Sequence, residues 1–211
     1  MGRKQTAVPK QKRGIETRKK IKDTAYQLYA SKGYHNTSSN EIASVAGVNI
    51  GTFYNYFEDK KQLLLELIED FQVRFFEATF STKNIPDLSG ADLKDLISHY
   101  VNQSFNAFRK DRAFFKNIYP LQYIDKDVEK IFRKYERLEA RQAVSIFRQR
   151  MGAMDKEEIE SQVNIVVIII AAISNRFYTL GLPTGKKQII QVMTQMISSY
   201  LESSRFLNKT D

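Results

Sequence analysis

The 211-residue sequence has no cysteine and no tryptophan, only 4 prolines and only 2 histidines. Without cysteine there is no disulfide, no thiol nucleophile and no thiolate metal ligand, and the composition suits a reducing compartment. His35 and His99 are too few to build a histidine metal centre, and the acidic residues form no cluster to replace one. No metal and no cofactor is therefore expected. Long apolar runs are missing too. The most apolar stretch, Ile165 to Ile173, is about half of the roughly 20 residues that span a bilayer, and Asn175 and Arg176 follow it. No apolar segment follows the basic start, which is read as neither a secretion signal nor a membrane anchor, and a cytoplasmic protein is expected. There is no phosphate loop, nucleophile elbow or metal-ligand spacing, so the chain is not expected to be an enzyme.

What is present is charge of one sign, unevenly spread. The formal net charge is +9. Arg3, Lys4, Lys10, Lys12, Arg13, Arg18, Lys19, Lys20 and Lys22 face a single acid, Glu16, before position 23. An end of this kind seeks polyanions. Residues 1–15, which carry no apolar period, are expected to form a flexible basic arm.

From Glu16 a helical period begins. Ile21, Ala25, Leu28 and Tyr29 fall on one face, and Gly33 supplies a left-handed stop. Ser38, three residues before Glu41 and just ahead of Ile42 and Ala43, has the capping-box arrangement of a helix start. That helix must end near Gly47, and a new pattern restarts at once through Phe53, Tyr54 and Phe57. Further helices are expected at about 60–80, 92–109, 112–119, 126–151, 156–180 and 186–204, with no strand. The fold class is all-α: an N-terminal three-helix head (16–62) containing a helix-turn-helix, and a C-terminal helical bundle (63–211).

Ser38 to Lys60 carries the functional argument. Ala43 is small where two helices would cross, Gly47 permits the turn, and Ile42, Ala46, Val48 and Phe53 would point inward. This burial leaves Asn49, Thr52, Asn55 and Tyr56 on or near a free face that a major groove could receive. A plain helical hairpin would explain the glycine alone, but not the small residue, the short helices and the basic arm together.

The run Gly33-Tyr34, Thr37, Ile42-Ala43, Ala46-Gly47-Val48, Gly51-Thr52-Phe53-Tyr54, Tyr56-Phe57, Lys60 and Leu63 resembles the N-terminal signature of the TetR family of bacterial transcriptional regulators. The resemblance covers roughly residues 16–66. It implies that Ser39 contacts phosphate, that Asn49 and Gly51 approach DNA at the start of the recognition helix, and that Thr52 and Asn55 lie along the groove. It also implies that the Tyr54 and Tyr56 hydroxyls hold phosphates and that Lys60 pairs with one. Asn49 and Asn55 are the expected base readers, because an amide can bond adenine at two points. Asn49, Phe53 and Tyr56 depart from the commonest family residues. Ile50 either touches a thymine methyl or packs inward.

Beyond residue 66 aromatic residues abound, and Tyr100, Phe105, Tyr123, Tyr135 and Phe177 are the expected lining of a pocket for an apolar or flat amphipathic effector. The helix through Val163 to Ile173 is apolar nearly all round and must bury two faces. One is expected to meet a second copy, with Val163, Val167, Ile170, Met193, Met196 and Tyr200 at the dimer interface. The expected function is a repressor that leaves a palindromic double-stranded operator, and the nucleoid, when a small molecule binds. The alternative is a ligand-independent architectural nucleic-acid-binding protein.

Overall fold

A computed structural model describes residues 12–80, 92–151 and 155–207. The described residues form nine α-helices and a short 3-10 helix, with no strand among them: α1 (Lys12–Lys32), α2 (Ser39–Val45), α3 (Ile50–Tyr56), α4 (Lys60–Phe80), α5 (Leu93–Lys110), α6 (Arg112–Ile118), the 3-10 turn Tyr119–Tyr123, α7 (Lys126–Met151), α8 (Lys156–Thr179) and α9 (Lys186–Leu207). No helix among them is long and apolar enough to cross a membrane. The first helix begins earlier than the apolar period suggests. Lys12 to Ile15 form its first turn, so the expected arm is helical from Lys12, and residues 1–11 lie outside the described residues.

The chain divides into two compact units, 1–71 with 113–131, and 72–112 with 132–211. The first thus differs from the expected head of residues 16–62, extending along α4 and taking in α6, the 3-10 turn and the start of α7. Its interior explains why. Ile21, Ala25 and Tyr29 of α1 are fully buried, as are Ile42, Ala46, Phe53, Phe57 and Leu63. Tyr26 stacks on Phe114 at 4.6 Å, Phe71 meets Phe115 at 5.0 Å, and the Asn117 side chain donates to the Ala30 carbonyl at 2.8 Å. Burying a phenylalanine side chain stabilises by about 1.5–3 kcal/mol, which fastens the 113–131 segment to this unit. Arg18 pairs with Glu66, and Lys22 lies 2.5 Å from Asp70 and 3.6 Å from Glu66. Two of the N-terminal basic residues are therefore engaged with α4 carboxylates within their own unit.

The second unit is built around α5, whose buried face runs Leu93, Leu96, Ile97, Tyr100, Val101, Ser104, Phe105 and Phe108. It packs against α8 and α9. α8 starts at Asp155, whose carboxylate accepts from the Glu157 and Glu158 amides at 2.8 and 3.3 Å, satisfying donors that a helix start leaves free. Inward from α8 point Ile159, Val163, Val166, Val167, Ile170 and Tyr178. From α9 come Ile189, Ile190, Met193, Ile197 and Leu201.

Candidate nucleic-acid interface

The helix-turn-helix is set by local backbone chemistry. Ser38 caps α2, its hydroxyl accepting from the Glu41 amide at 3.1 Å. Only half of the capping box forms, because the Glu41 carboxylate pairs with Lys32. α2 ends at Gly47, whose φ of +62° is costly for a residue with a Cβ. The Gly47 amide bonds the Ser44 carbonyl at 3.0 Å and the Val48 amide bonds the Ala43 carbonyl at 3.0 Å, turning the chain directly into α3. Ala43 is 2% exposed, while Ile42, Ala46 and Phe53 are fully buried. Val48, expected to point inward, is half-buried.

Asn49 is the N-cap of α3. Its side-chain carbonyl accepts from the Thr52 amide at 2.7 Å and from the Thr52 hydroxyl at 3.0 Å. Both amide atoms were expected to face a base, but the oxygen is committed to the helix and only the NH2 remains to donate outward. Gly51 serves the same cap, since a Cβ there would come within 3.3 Å of the Asn49 carbonyl oxygen. Asn55, by contrast, is exposed. Its amide makes no hydrogen bond among the described residues, so both of its polar atoms are unengaged there. Ile50 and Tyr54 are exposed, and Thr52 and Tyr56 half-buried. Ile50 therefore stands at the surface rather than in the core. Tyr54, 51% exposed, is braced edge-on by Phe53 at 5.3 Å. Ser39, the first residue of α2, is half-buried.

Lys60 is placed differently from that expectation. Its ammonium, expected to hold a phosphate, donates to the Tyr34 and Thr37 carbonyls at 3.1 and 2.8 Å and sits 4.4 Å from the centre of the Tyr34 ring. Burial lowers its pKa. Thr37, 2% exposed, donates to the Gly33 carbonyl at 2.8 Å, and the Tyr29 hydroxyl donates to the Lys60 carbonyl at 3.1 Å. Burial is the main cause of the raised Tyr29 pKa, with Tyr34 and Asp59 adding to it. Lys60 is thus occupied in locking the α1–α2 connection to α4. A different cation stands by the turn: the ammonium of exposed Lys20 lies 3.3 Å from where a Cβ on Gly47 would sit. Sequence alone showed Lys20 only as one more basic residue.

The expected pocket and interface residues fall differently. Tyr100, Phe105 and Tyr135 are buried in the second unit, and Phe105 lies 5.6 Å from Phe177. Tyr123 is 74% exposed and belongs to the first unit, against Tyr119, so it lines no interior there. Two open grooves on the second unit hold none of these five residues. One, of about 670 Å³, is bordered by Arg137, Arg141, Arg148 and Glu160; the other, of about 1000 Å³, by Lys94, Asn102, Lys186 and Met196. Val163, Val167, Ile170 and Met193 point into the unit's own core, at 0, 5, 1 and 5% exposure, and are not free to meet a second copy. Met196 and Tyr200 are exposed. The apolar positions that α8 exposes are Ile165, Ile168, Ile169 and Ala172, an i, i+3, i+4, i+7 stripe.

Two short helices joined by a glycine turn, with a buried apolar side and amides and hydroxyls on the outer helix, define a helix-turn-helix DNA-binding regulator. Residues 21–67 match the family model of bacterial regulatory proteins, tetR family. Residues 21–67 thus carry the helix-turn-helix domain of TetR-family transcriptional regulators. It is 25% identical over 194 residues to the uncharacterised HTH-type transcriptional regulator YdgC of Bacillus subtilis (strain 168), a match covering 90% of this chain and 95% of YdgC. A solved structure of a TetR-family regulator from Mesorhizobium loti MAFF303099 superposes with a TM-score of 0.73 at 17% identity, covering 92% of this chain and 98% of that one. The flavonoid-responsive regulator FrrA superposes with a TM-score of 0.68 at 20% identity, covering 90% and 97%. These are the fold and relatives of transcriptional regulators, not of enzymes.

Proposed function

We propose that this chain is a cytoplasmic, ligand-responsive repressor that binds a palindromic operator as a homodimer and leaves it when a small molecule occupies the second unit. The observation that carries the reading is α3 itself, where exposed Asn55 presents an unengaged amide on the helix that Asn49 caps and that also carries Thr52 and exposed Tyr54. In this reading Asn55 reads adenine at two points, Asn49 donates a single bond, and Tyr54, Tyr56, Ser39 and Lys20 position the backbone. Gly51 and Ile50 lie against the groove.

The homodimer rests on a second apolar face. Ile165, Ile168 and Ile169 are 49, 62 and 41% exposed on α8; Val192, Met196 and Tyr200 are 48, 66 and 46% exposed on α9, which packs beside it. A contiguous apolar surface of this kind is costly in water and is covered by a symmetric copy of itself. Ligand response is supported by the fold shared with a flavonoid-responsive regulator and by an aromatic interior. A coupling of about 1–3 kcal/mol between the two sites changes operator affinity roughly 5–150-fold.

Selection from random duplex DNA by the purified chain, with Asn55→Ala run in parallel, tests this reading. Enrichment of an inverted repeat by the wild type, lost or weakened in the variant, is the expected result. Binding without an enriched motif, equal in both proteins, would leave an architectural role and overturn it.

A further inference from the structure

We propose that the groove between α7 and α8, on the surface of the second unit, binds a small molecule that carries several phosphate groups. This goes beyond the effector reading above and does not depend on it. The groove, of about 670 Å³, takes Arg137, Ala140, Arg141, Val144, Ser145 and Arg148 from α7. These positions follow i, i+3, i+4, i+7, i+8 and i+11 and so form a single helix face. Ala140 and Val144 are small and half-buried, which keeps the groove open between three exposed arginines. The other wall is α8, through Glu160 and Asn164.

Charge is unevenly distributed along α7. In its first half acids and bases are matched: Asp127 lies 3.2 Å from Lys130, and Glu129 and Arg133 are both engaged. From Arg137 to Arg148 the one acid is Glu139, which is 6% exposed. Arg137, Arg141 and Arg148 make no hydrogen bond and no ion pair among the described residues. Glu160, the acid on the facing wall, pairs with Lys156 at 3.8 Å rather than with an arginine. An ordinary solvated face would mix its charges, as the first half of α7 does. Here Arg137 and Arg141 repel each other one turn apart, a cost that a bound anion removes.

The chemistry of the lining names the anion. A guanidinium is a planar fork that matches phosphate at two points, and a groove lined by one sign of charge concentrates the opposite ion. Arg137 and Arg148 are eleven positions apart, roughly 16 Å along the helix axis. One phosphate cannot engage both, whereas several spaced phosphates can. The Asn164 amide and the Ser145 hydroxyl add neutral donors. The volume falls in the range that holds a small molecule, which sets this occupant apart from a duplex.

The test is calorimetric titration of the full chain, at physiological ionic strength, with inorganic tripolyphosphate and with orthophosphate as the single-group control. Wild type is compared with Arg137→Gln plus Arg141→Gln, with Arg148→Gln, and with Lys94→Gln plus Lys187→Gln, which takes charge from the other groove instead. Melting curves establish that each is folded. Tripolyphosphate should bind the wild type more tightly than orthophosphate does. The double arginine variant should weaken it by about ten-fold or more and Arg148→Gln by about three-fold or more, while the lysine variant stays within about two-fold. Equal binding of the two phosphates, no binding of tripolyphosphate, or unchanged affinity in the arginine variants, which would place the anion on the basic head, overturns the proposal. An equal loss in the lysine variant also overturns it, since net charge would then explain the binding. Should the double variant fail to fold, Arg148→Gln decides alone.

Discussion

Substitution of Asn49 separates two roles that one side chain fills. Its carbonyl oxygen caps α3 through the Thr52 amide at 2.7 Å and also accepts the Thr52 hydroxyl at 3.0 Å, while its NH2 is left for DNA. Removing an N-cap costs about 1 kcal/mol, and α3, from Ile50 to Tyr56, is too short to spread that loss. Asn49→Ala should therefore lower the melting temperature by about 2–4 °C, while Asn49→Ser, which retains an acceptor, should melt close to the wild type. On the selected duplex the order changes. Asn49→Ser loses only a single donated bond, because the oxygen was never available, and a cost near 1 kcal/mol is about five-fold in affinity. Asn55→Ala loses a two-point contact and should cost about 1–3 kcal/mol. Thermal melting with fluorescence-anisotropy titration reads both. An unchanged melting temperature in Asn49→Ala would refute the cap. A loss in Asn49→Ser as large as in Asn55→Ala would refute the division of labour.

Lys60→Met removes two ammonium–carbonyl bonds and a ring contact, and, discounted for partial exposure, should cost about 2 kcal/mol in denaturant unfolding. Its salt dependence of DNA binding should match the wild type; a slope smaller by about one would return Lys60 to the phosphates. For Glu139 the folded pKa of about 8 lies above the ordinary 4.5, so its protonated form is favoured in the fold. Its contribution to stability is complete below pH 4.5 and lost as pH rises through 8, a change on the order of 5 kcal/mol. Glu139→Gln should flatten that decline in denaturant melts at pH 5, 7 and 9; parallel curves would count against the burial of an unpaired acid. Ile168→Glu with Met196→Glu, at positions 62 and 66% exposed, should convert the proposed dimer to a folded monomer in sedimentation experiments, and a persisting dimer would move the interface elsewhere.

Much of this fold can be read from spacing. Apolar periods locate the helices from 60 onward to within a few residues, and Gly33 and Gly47 stop their helices with positive φ as the pattern requires. The buried side of α2 and α3 follows from Ile42, Ala43, Ala46 and Phe53 for the same reason. What spacing does not contain is long-range pairing. The carbonyls that hold Lys60 come from Tyr34 and Thr37, and no local pattern marks a carbonyl as unsatisfied. Phe114 and Phe115 look like body aromatics until Tyr26 and Phe71 are seen against them. In α8, apolar on both sides, no polar face fixes the phase. Val163 and Ile165 are thus interchangeable in sequence, yet one is buried and the other 49% exposed. The 3-10 turn at Tyr119–Tyr123 replaces a simple break at Pro120 because proline suits a helix start, and it leaves Tyr123 in water.

Whether this chain reads sequence in duplex DNA through α3 is decided by titrating the selected duplex and a scrambled duplex of the same length across a range of salt. The selected duplex should bind at least about 10³-fold more tightly at physiological salt, and Asn55→Ala should narrow the gap while leaving scrambled binding unchanged. Equal affinities that fall together as salt rises, in wild type and variant alike, would contradict it.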